Sequence, residues 1–178
     1  MAARRYVVMG AGEVGRHLAR SLSGDGHRVT VIDSDPEKRS LVEDQLDVAF
    51  VLGNGSHIPT LHAARVDQCE LFVAASSSDE ANLVASLLAK SLGAPRTVVR
   101  VKTSEDITQF GRVYERNFRA DLLLSTQLLT TTQILNHLLG YNTVEVEYLA
   151  GGALQVRRIA IEEGSILAER PLALANLP

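Results

Sequence analysis

The sequence predicts an α/β fold, and three observations lead to this prediction. Six short apolar runs alternate with longer stretches in which apolar residues recur at helical spacing. The runs are aliphatic and nearly continuous, as in parallel strands that are buried on both faces. The connections between them are short, which favours successive strand–helix units. Together these observations predict a Rossmann-type, doubly wound, six-stranded parallel sheet with helices on both faces.

The apolar runs are the predicted strands, and the predicted helices lie between them. Apolar residues repeat at helical spacing over residues 14–22 and 81–92, and a first-turn proline opens a further helix at residue 36. Residues 57–64 are the hardest segment to assign, because Pro59 must lie in the first turn of any helix there. The six strands are predicted at residues 6–9, 29–32, 48–51, 71–74, 98–101 and 122–124.

The pattern changes from about Leu128. A long apolar helical face comes first, and residues 143–148 and 154–161 then alternate with period two, which is typical of antiparallel strands. We therefore expect residues 1–140 to form the first domain, ending in a crossover helix. We expect residues 141–178 to begin a small α+β C-terminal domain that is cut short, so that the chain is a fragment of a longer protein.

The composition excludes several classes of function. Of the 178 residues, 46% are apolar and 22% are charged, which is the balance of an ordinary soluble globular protein. The net charge of −3 and the absence of Trp argue against nucleic-acid binding. No apolar run approaches the roughly 20 residues of a membrane span. The single cysteine, Cys69, excludes an intramolecular disulfide and suits a reducing compartment.

A glycine-rich turn follows the first predicted strand. Residues 10–15 read Gly-Ala-Gly-Glu-Val-Gly, a G-x-G-x-x-G between a strand and a helix, as a dinucleotide-binding loop requires. In such a loop Gly10 permits the tight turn, Gly12 lets the backbone approach a pyrophosphate, and Gly15 lets the helix pack close to the sheet. The helix N-terminus offers N–H groups to phosphates. The alternative is a turn that serves only strand-to-helix geometry.

Asp33 ends the second predicted strand, 18 residues after Gly15. A carboxylate at this point can accept two hydrogen bonds from a ribose diol. It would repel a 2′-phosphate, and no arginine follows it directly to neutralise one. The site is therefore expected to prefer NAD-type or other adenosine nucleotides to NADP. For the neighbouring Asp35, the role of helix N-cap is favoured over a ligand contact.

Three more strand ends converge on the same edge of the sheet. In the loop 53–56, the Asn54 amide can read an adenine edge, or the loop is a simple turn. In the loop 75–80, hydroxyls can meet ribose or phosphate, or Ser78 or Asp79 merely caps the next helix. Arg100 lies within the apolar fifth strand, and a guanidinium there needs an anionic partner. That partner is either a nucleotide phosphate or a structural carboxylate, and the sequence leaves both alternatives open.

The sequence offers no catalytic or metal-binding constellation. Its five histidines are scattered, and none forms a metal-ligand cluster with cysteine or acidic residues. Ser76–Ser78 lack the G-x-S-x-G context of a nucleophile, and Cys69 precedes a buried strand and is expected to be inert. A nucleotide site without visible chemistry indicates a sensor, in which ligand binding shifts a conformational equilibrium.

Several of these segments resemble the TrkA N-terminal domain, also called the KTN or RCK domain. The S-x-S-D-E-x-N string that ends at Asn82 is typical of these domains and not of dehydrogenases, and Arg100 matches the family's arginine on the fifth strand. The resemblance covers about residues 5–140. The matching segments are residues 9–15 (MGAGEVG), 31–36 (VIDSDP), 52–56 (LGNGS) and 73–82 (VAASSSDEAN).

The resemblance implies a peripheral, cytoplasmic regulatory subunit at the inner face of the cell membrane, belonging to a bacterial Trk/Ktr-type potassium uptake system. Such subunits are not enzymes. They bind NAD(H) or ATP/ADP and associate with a membrane potassium-translocating protein. The nucleotide contacts that it implies are Met9, Gly10, Ala11, Gly12, Glu13, Val14, Asp33, Gly53, Asn54, Ala75, Ser76 and Arg100.

The resemblance also implies a homodimer or higher homo-oligomer, paired through the helix at about residues 126–139. The segment 111–120 departs from the family by being more basic, and either a different partner or a solvated face explains this. Residues 141–178 resemble the beginning of the family's C-terminal domain. Two other functions stay open: a nucleotide-binding fragment of an NAD-dependent dehydrogenase, and the RCK domain of a potassium channel or antiporter.

Overall fold

The computed structural model describes residues 3–102, 105–138, 144–149, 154–159 and 163–165. Its main sheet has six parallel strands, and six helices follow them along the chain. The strands are β1 (Arg5–Met9), β2 (Arg28–Asp33), β3 (Ala49–Leu52), β4 (Leu71–Ala74), β5 (Thr97–Val101) and β6 (Leu122–Ser125). The helices are α1 (Glu13–Gly24), α2 (Glu37–Glu43), α3 (Ile58–Ala63), α4 (Asp79–Ser91), α5 (Glu105–Phe118) and α6 (Thr126–Leu138).

The strand order β3-β2-β1-β4-β5-β6 confirms the predicted doubly wound fold. The central strand, β1, pairs in parallel with both β2 and β4, so that Met9 lies opposite Ile32 on one side and Ala74 on the other. The chain fills one half of the sheet and then returns to the middle to fill the other. At that reversal the connections diverge, which leaves a crevice outside the carboxyl ends of the strands.

Successive residues of each strand enter different cores, because side chains alternate across a sheet. Val7 packs in a cluster with Phe72 and with residues of α3, α4 and α5. Its neighbour Val8 packs in a second cluster with Val31 and with residues of α1 and α2. Both valines have no solvent exposure. The helices therefore cover both faces of the sheet, and the middle of each strand is mostly apolar.

The observed elements differ from the predicted ones mainly at their ends. Val48 was expected to begin the third strand, but its N–H donates to the carbonyl of Leu46 at 3.0 Å and β3 begins at Ala49. The doubtful segment 57–64 does form α3, with Pro59 in the first turn, where a missing N–H costs nothing. A carboxylate oxygen of Asp35 accepts the N–H of Glu37 at 3.0 Å, so it caps the start of α2 although Pro36 holds the N-cap position.

The chain divides into two compact units, residues 1–129 and 130–178, and α6 contains the division. In the second unit, β7 (Val144–Leu149) and β8 (Leu154–Ile159) form an antiparallel pair in which Val144 lies opposite Ile159. This pair agrees with the alternating pattern of the sequence. The domain boundary expected at residue 140 falls outside the described residues. The assignment of residues 141–178 to a truncated second domain stays a prediction.

Candidate functional site

The carboxyl ends of the central strands surround a cavity of about 490 Å³. It lies at the reversal between β1 and β4, where open parallel sheets bind ligands. Every residue implied as a nucleotide contact lines it except Ala11. The lining residues among those implied are Met9, Gly10, Gly12, Glu13, Val14, Asp33, Gly53, Asn54, Ala75, Ser76 and Arg100.

The three glycines of the loop between β1 and α1 differ in what surrounds them. Gly10 has a φ of +103°, and a Cβ there would lie 2.7 Å from the backbone nitrogen of Ser76. A Cβ on Gly15 would overlap the carbonyl of Gly10, so this glycine allows α1 to pack against the loop. A Cβ on Gly12 would meet nothing within 4 Å, and Gly12 lines the cavity. Gly12 thus leaves open space beside the start of α1, where a phosphate can approach the backbone.

Asp33 is held by three donors of the protein itself. Oδ2 accepts the N–H of Ala11 at 2.6 Å and the ammonium of Lys38 at 3.1 Å, and Oδ1 accepts the N–H of Asp35 at 3.0 Å. Burial by itself raises the pKa of the Asp33 carboxyl, but these hydrogen bonds and the charge of Lys38 outweigh it and hold the pKa below its ordinary value. The carboxylate is therefore ionised at neutral pH, and part of its acceptor capacity is already used.

Lys38 is a residue of the cavity that the sequence analysis missed. It lies on α2 and lines the cavity beside Asp33. The expected preference for NAD over NADP rested on the absence of an arginine directly after Asp33. In the structure the ammonium of Lys38, about one helical turn after Asp33, supplies a positive charge beside that carboxylate. The prediction considered only the residue directly after Asp33 and was therefore incomplete. Lys38 lies in the first turn of the helix after β2, and this position in the sequence is what could have identified it as a cavity residue.

Arg100 reaches the cavity wall from β5. Nη1 donates to the carbonyl of Ser76 at 3.1 Å, and Nη2 lies 3.5 Å from the hydroxyl of Thr126. Nε is buried and has no hydrogen-bond partner among the described residues. No carboxylate of the described chain forms an ion pair with it, so the structural carboxylate that the sequence left open is not found there. A buried donor without a partner favours an anionic ligand at this point.

The polar loops on either side of Arg100 are organised by their own hydrogen bonds. Ser78 caps α4, since its hydroxyl accepts the N–H of Ala81 at 3.1 Å, as one of the two alternatives predicted. The carboxamide oxygen of Asn54 accepts the N–H of Ser56 at 2.8 Å, which stabilises the turn after β3. Lys102, another residue missed from the sequence, also lines the cavity. Together with Lys38 and Arg100, it brings three cationic side chains to the cavity wall.

Other features of the sequence have a plain structural explanation. Burial raises the pKa of the Cys69 thiol to about 11, which agrees with the expectation that it is inert. Arg112, Arg116 and Arg119 of the basic segment are exposed. Within the described residues, no group of His, Cys, Asp and Glu could hold a metal ion. The same residues include no helix that is both long and apolar enough to cross a bilayer.

The sequence is similar to known potassium uptake proteins. The TrkA-N domain family matches residues 6–120. The Trk system potassium uptake protein TrkA homolog of Archaeoglobus fulgidus is 34% identical over 175 residues, which are 98% of this chain and 39% of that protein. The chain thus spans well under half the length of this curated relative.

Solved structures have the same fold. The GsuK channel bound to NAD matches with a TM-score of 0.65 at 21% identity, over 88% of this chain and 27% of the channel chain. GsuK bound to ADP matches with a TM-score of 0.61 at 22% identity, over 80% of this chain and 35% of the other. At these identities the likeness shows the fold alone.

The family match confirms the resemblance that the sequence motifs indicated. The matched family is the TrkA-N domain, and the named relative is a Trk system potassium uptake protein. This assignment confirms the prediction that the domain is regulatory and not enzymatic. The match covers most of the described first unit and includes the whole cavity. The chain belongs to the TrkA-N domain family.

Proposed function

We propose that this chain is the nucleotide-sensing part of a cytoplasmic regulatory subunit, which binds NAD(H) or ATP/ADP and gates a membrane potassium-translocating partner. The observation that carries the proposal is the cavity at the reversal of the sheet, where an open glycine, an ionised carboxylate and an unpaired buried guanidinium donor meet. The nucleotide-bound GsuK structures, which share the fold, support the same ligand class.

Each group in the cavity suits one part of an adenosine nucleotide. Asp33 can accept hydroxyls of the ribose with the acceptor capacity that Ala11, Asp35 and Lys38 leave free. The backbone at Gly12 and the N-terminus of α1 can receive the diphosphate. The Arg100 guanidinium, which lines the cavity and has a buried Nε without a partner, can bind a further phosphate or another anionic group. The twelve implied contact residues stay a proposal on this basis.

A regulatory ligand acts through its differential affinity for two states of the protein. The groups proposed to bind the nucleotide come from the ends of β1, β2, β3, β4 and β5, so a ligand spanning the cavity bridges both halves of the sheet. Such bridging stabilises one relative arrangement of the loops around the cavity. We propose that the membrane partner recognises this arrangement of the loops.

The partner surfaces are proposed from exposed apolar side chains. On α6, Ile134, Leu135 and Leu138 are 54%, 48% and 73% exposed. Apolar side chains at helical spacing on an exposed face favour burial against another helix. We propose a homodimer or a higher homo-oligomer that pairs through α6. Peripheral attachment at the inner face of the membrane follows, in this proposal, from binding to the translocating subunit.

Titration calorimetry with NADH, NAD, ATP and ADP tests the proposal. At least one of them is expected to bind, and Asp33→Ala should weaken its binding by about tenfold or more, since a charge-assisted contact is lost. Asp44→Ala changes an exposed aspartate at the end of α2 that does not line the cavity, and it serves as the matched control. No binding of any of the four, with Asp33→Ala indistinguishable from the unaltered chain, would overturn the proposal.

The potassium-transport part of the proposal needs a separate test with the full-length protein. The protein is mixed with the potassium-translocating membrane subunit of the same organism, and potassium flux into liposomes is measured with and without nucleotide. A nucleotide-dependent change in flux is expected. A second candidate is the RCK domain of a potassium channel, which the fold shared with GsuK favours. A transmembrane segment encoded in the same reading frame would support that candidate instead.

A further inference from the structure

Asn82 is a polar side chain with no solvent exposure, on the buried face of α4. Its neighbours on that face, Leu83, Ala85 and Ala89, pack in the apolar core. A buried carboxamide is costly unless its hydrogen-bonding groups are satisfied. Asn82 does not line the cavity, and the sequence analysis gave it no role beyond membership of a motif.

The Asn82 carboxamide makes four hydrogen bonds, which use both of its donors and two acceptor positions. Oδ1 accepts the backbone N–H of Ser76 at 2.9 Å and the Ser76 hydroxyl at 2.7 Å. Nδ2 donates to the carbonyl of Ser76 at 3.1 Å and to the carbonyl of Arg100 at 2.9 Å. One side chain therefore joins the loop after β4 to the backbone of β5.

The same contacts determine the setting of the Arg100 guanidinium. The carbonyl of Ser76 accepts both Nδ2 of Asn82 and Nη1 of Arg100, the latter at 3.1 Å. With Nη1 anchored there, the Arg100 guanidinium lines the cavity, and its buried Nε has no hydrogen-bond partner among the described residues. The Ser76 hydroxyl is engaged by Oδ1 of Asn82 and by the backbone of Ser78. Arg100 is thus the member of this cluster with a donor left for a ligand.

We infer that Asn82 is a positioning residue for the anionic part of the nucleotide, acting through the Ser76 carbonyl on the Arg100 guanidinium. The inference rests on the proposed function and deepens it. Removing the carboxamide frees the Ser76 peptide to turn, and Arg100 then loses the acceptor that anchors Nη1. The phosphate-dependent part of the affinity should fall, while contacts to the adenosine end, at Asp33, should be retained.

Ser86 provides a matched control. It is buried on the same helix, one turn further along, and its hydroxyl donates to that of Thr97 on β5 at 3.0 Å. It therefore joins α4 to β5 as Asn82 does, but it does not line or contact the cavity. Ser86→Ala removes a buried helix-to-strand hydrogen bond without touching Ser76 or Arg100. Comparison with it separates a general loss of stability from a specific loss of ligand positioning.

The test is calorimetric titration of the unaltered chain and its variants with ADP and with adenosine. Asn82→Ala, and Asn82→Ser as a smaller perturbation, should weaken ADP binding by about tenfold and adenosine binding by less than about threefold. Ser86→Ala should change neither. Far-UV circular dichroism at the titration temperature confirms that each variant is folded.

A double-mutant cycle identifies the route of the effect. If Asn82 acts through Arg100, then Asn82→Ala combined with Arg100→Gln should bind ADP no more weakly than Arg100→Gln alone. Additive losses, equal losses for ADP and adenosine, or an unchanged ADP affinity in folded Asn82 variants would overturn the inference and leave the proposed function intact. If the unaltered chain binds neither ligand, the proposed function fails and the inference fails with it.

Discussion

The ammonium of Lys38 lies 3.1 Å from Oδ2 of Asp33, and it pairs a helix residue with the carboxylate at the end of β2. The Asp33 side chain is 9% exposed and that of Lys38 is 34% exposed. Screening by water is therefore weaker at this pair than between two surface charges. The charge that a ribose meets at Asp33 is partly neutralised before any ligand arrives.

Replacing Lys38 by methionine should change the preference between cofactors. The ammonium offsets the repulsion between Asp33 and a 2′-phosphate, so Lys38→Met should weaken NADPH binding about three- to tenfold more than NADH binding. Calorimetric titration with both cofactors measures the ratio. The adjacent Arg39→Met is the control, because Arg39 pairs with Glu43 and does not line the cavity. Equal losses for NADH and NADPH would contradict this prediction.

Substitutions at Gly12 and at Gly15 should have different effects, the first on nucleotide affinity and the second on the stability of the fold. Gly12→Ala meets open space, so its unfolding midpoint should stay close to that of the unaltered chain, while ADP affinity falls about tenfold because the methyl group enters the phosphate approach. Gly15→Ala drives a methyl group into the Gly10 carbonyl and should destabilise the fold by several kcal/mol, of the order seen for overpacking. Thermal unfolding and ADP titration of both variants check this. A Gly12→Ala protein that binds ADP normally would argue against phosphates at the start of α1.

The lowered pKa of Asp33 predicts a pH-dependent contribution to stability. Because the folded-state pKa lies below the ordinary value of 3.8, the ionised carboxylate stabilises the fold above that value, and the contribution is lost as the pH falls through the folded-state pKa. Asp33→Asn should therefore cost about 1–2 kcal/mol at neutral pH and progressively less below pH 4. Urea unfolding from pH 7 to pH 3 measures the difference. Asp25→Asn, at an exposed position after α1, is the control, and a deficit for Asp33→Asn that does not shrink in acid would be inconsistent with this account.

The exposed apolar face of α6 predicts a change of oligomeric state on substitution. Ile134→Asp places a charge within that face and should shift the protein towards the monomer, since a buried unpaired carboxylate disfavours association. Light scattering coupled to size-exclusion chromatography measures the molar mass. Val113→Asp, at an equally exposed position on α5, is the comparison. A larger effect from Val113→Asp would assign the interface to α5 instead of α6.

The sheet could be predicted from sequence because each strand carries its own signal. Residues 6–9 of β1 and residues 71–74 of β4 lie in strands that are buried on both faces, so they are apolar and the runs are easy to see. The glycine loop was also visible, because its spacing reflects local backbone requirements at Gly10 and Gly15. The start of β3 was predicted one residue too early, because the N–H of Val48 donates within a local turn that the side chain does not reveal.

The contacts inside the site could not be predicted in the same way. Lys38 and Asn82 belong to helices, and the groups that their side chains contact depend on how those helices pack against the strand ends. The sequence predicts Asp33 as a ribose acceptor from its place at the end of β2, but its three protein donors come from two different loops and a helix.

By itself, the sequence determined the strands, the glycine-rich loop and the family, because these depend on residues close together in the chain. Only the tertiary structure decided which charges share the cavity and which donor of Arg100 stays free. Parallel strands bring residues far apart in sequence to one edge of the sheet, and the energies of charged and buried polar groups there depend on their neighbours in space. Ser76, Asn82 and Arg100 are joined by hydrogen bonds that span three elements, and that connection exists only in the folded chain.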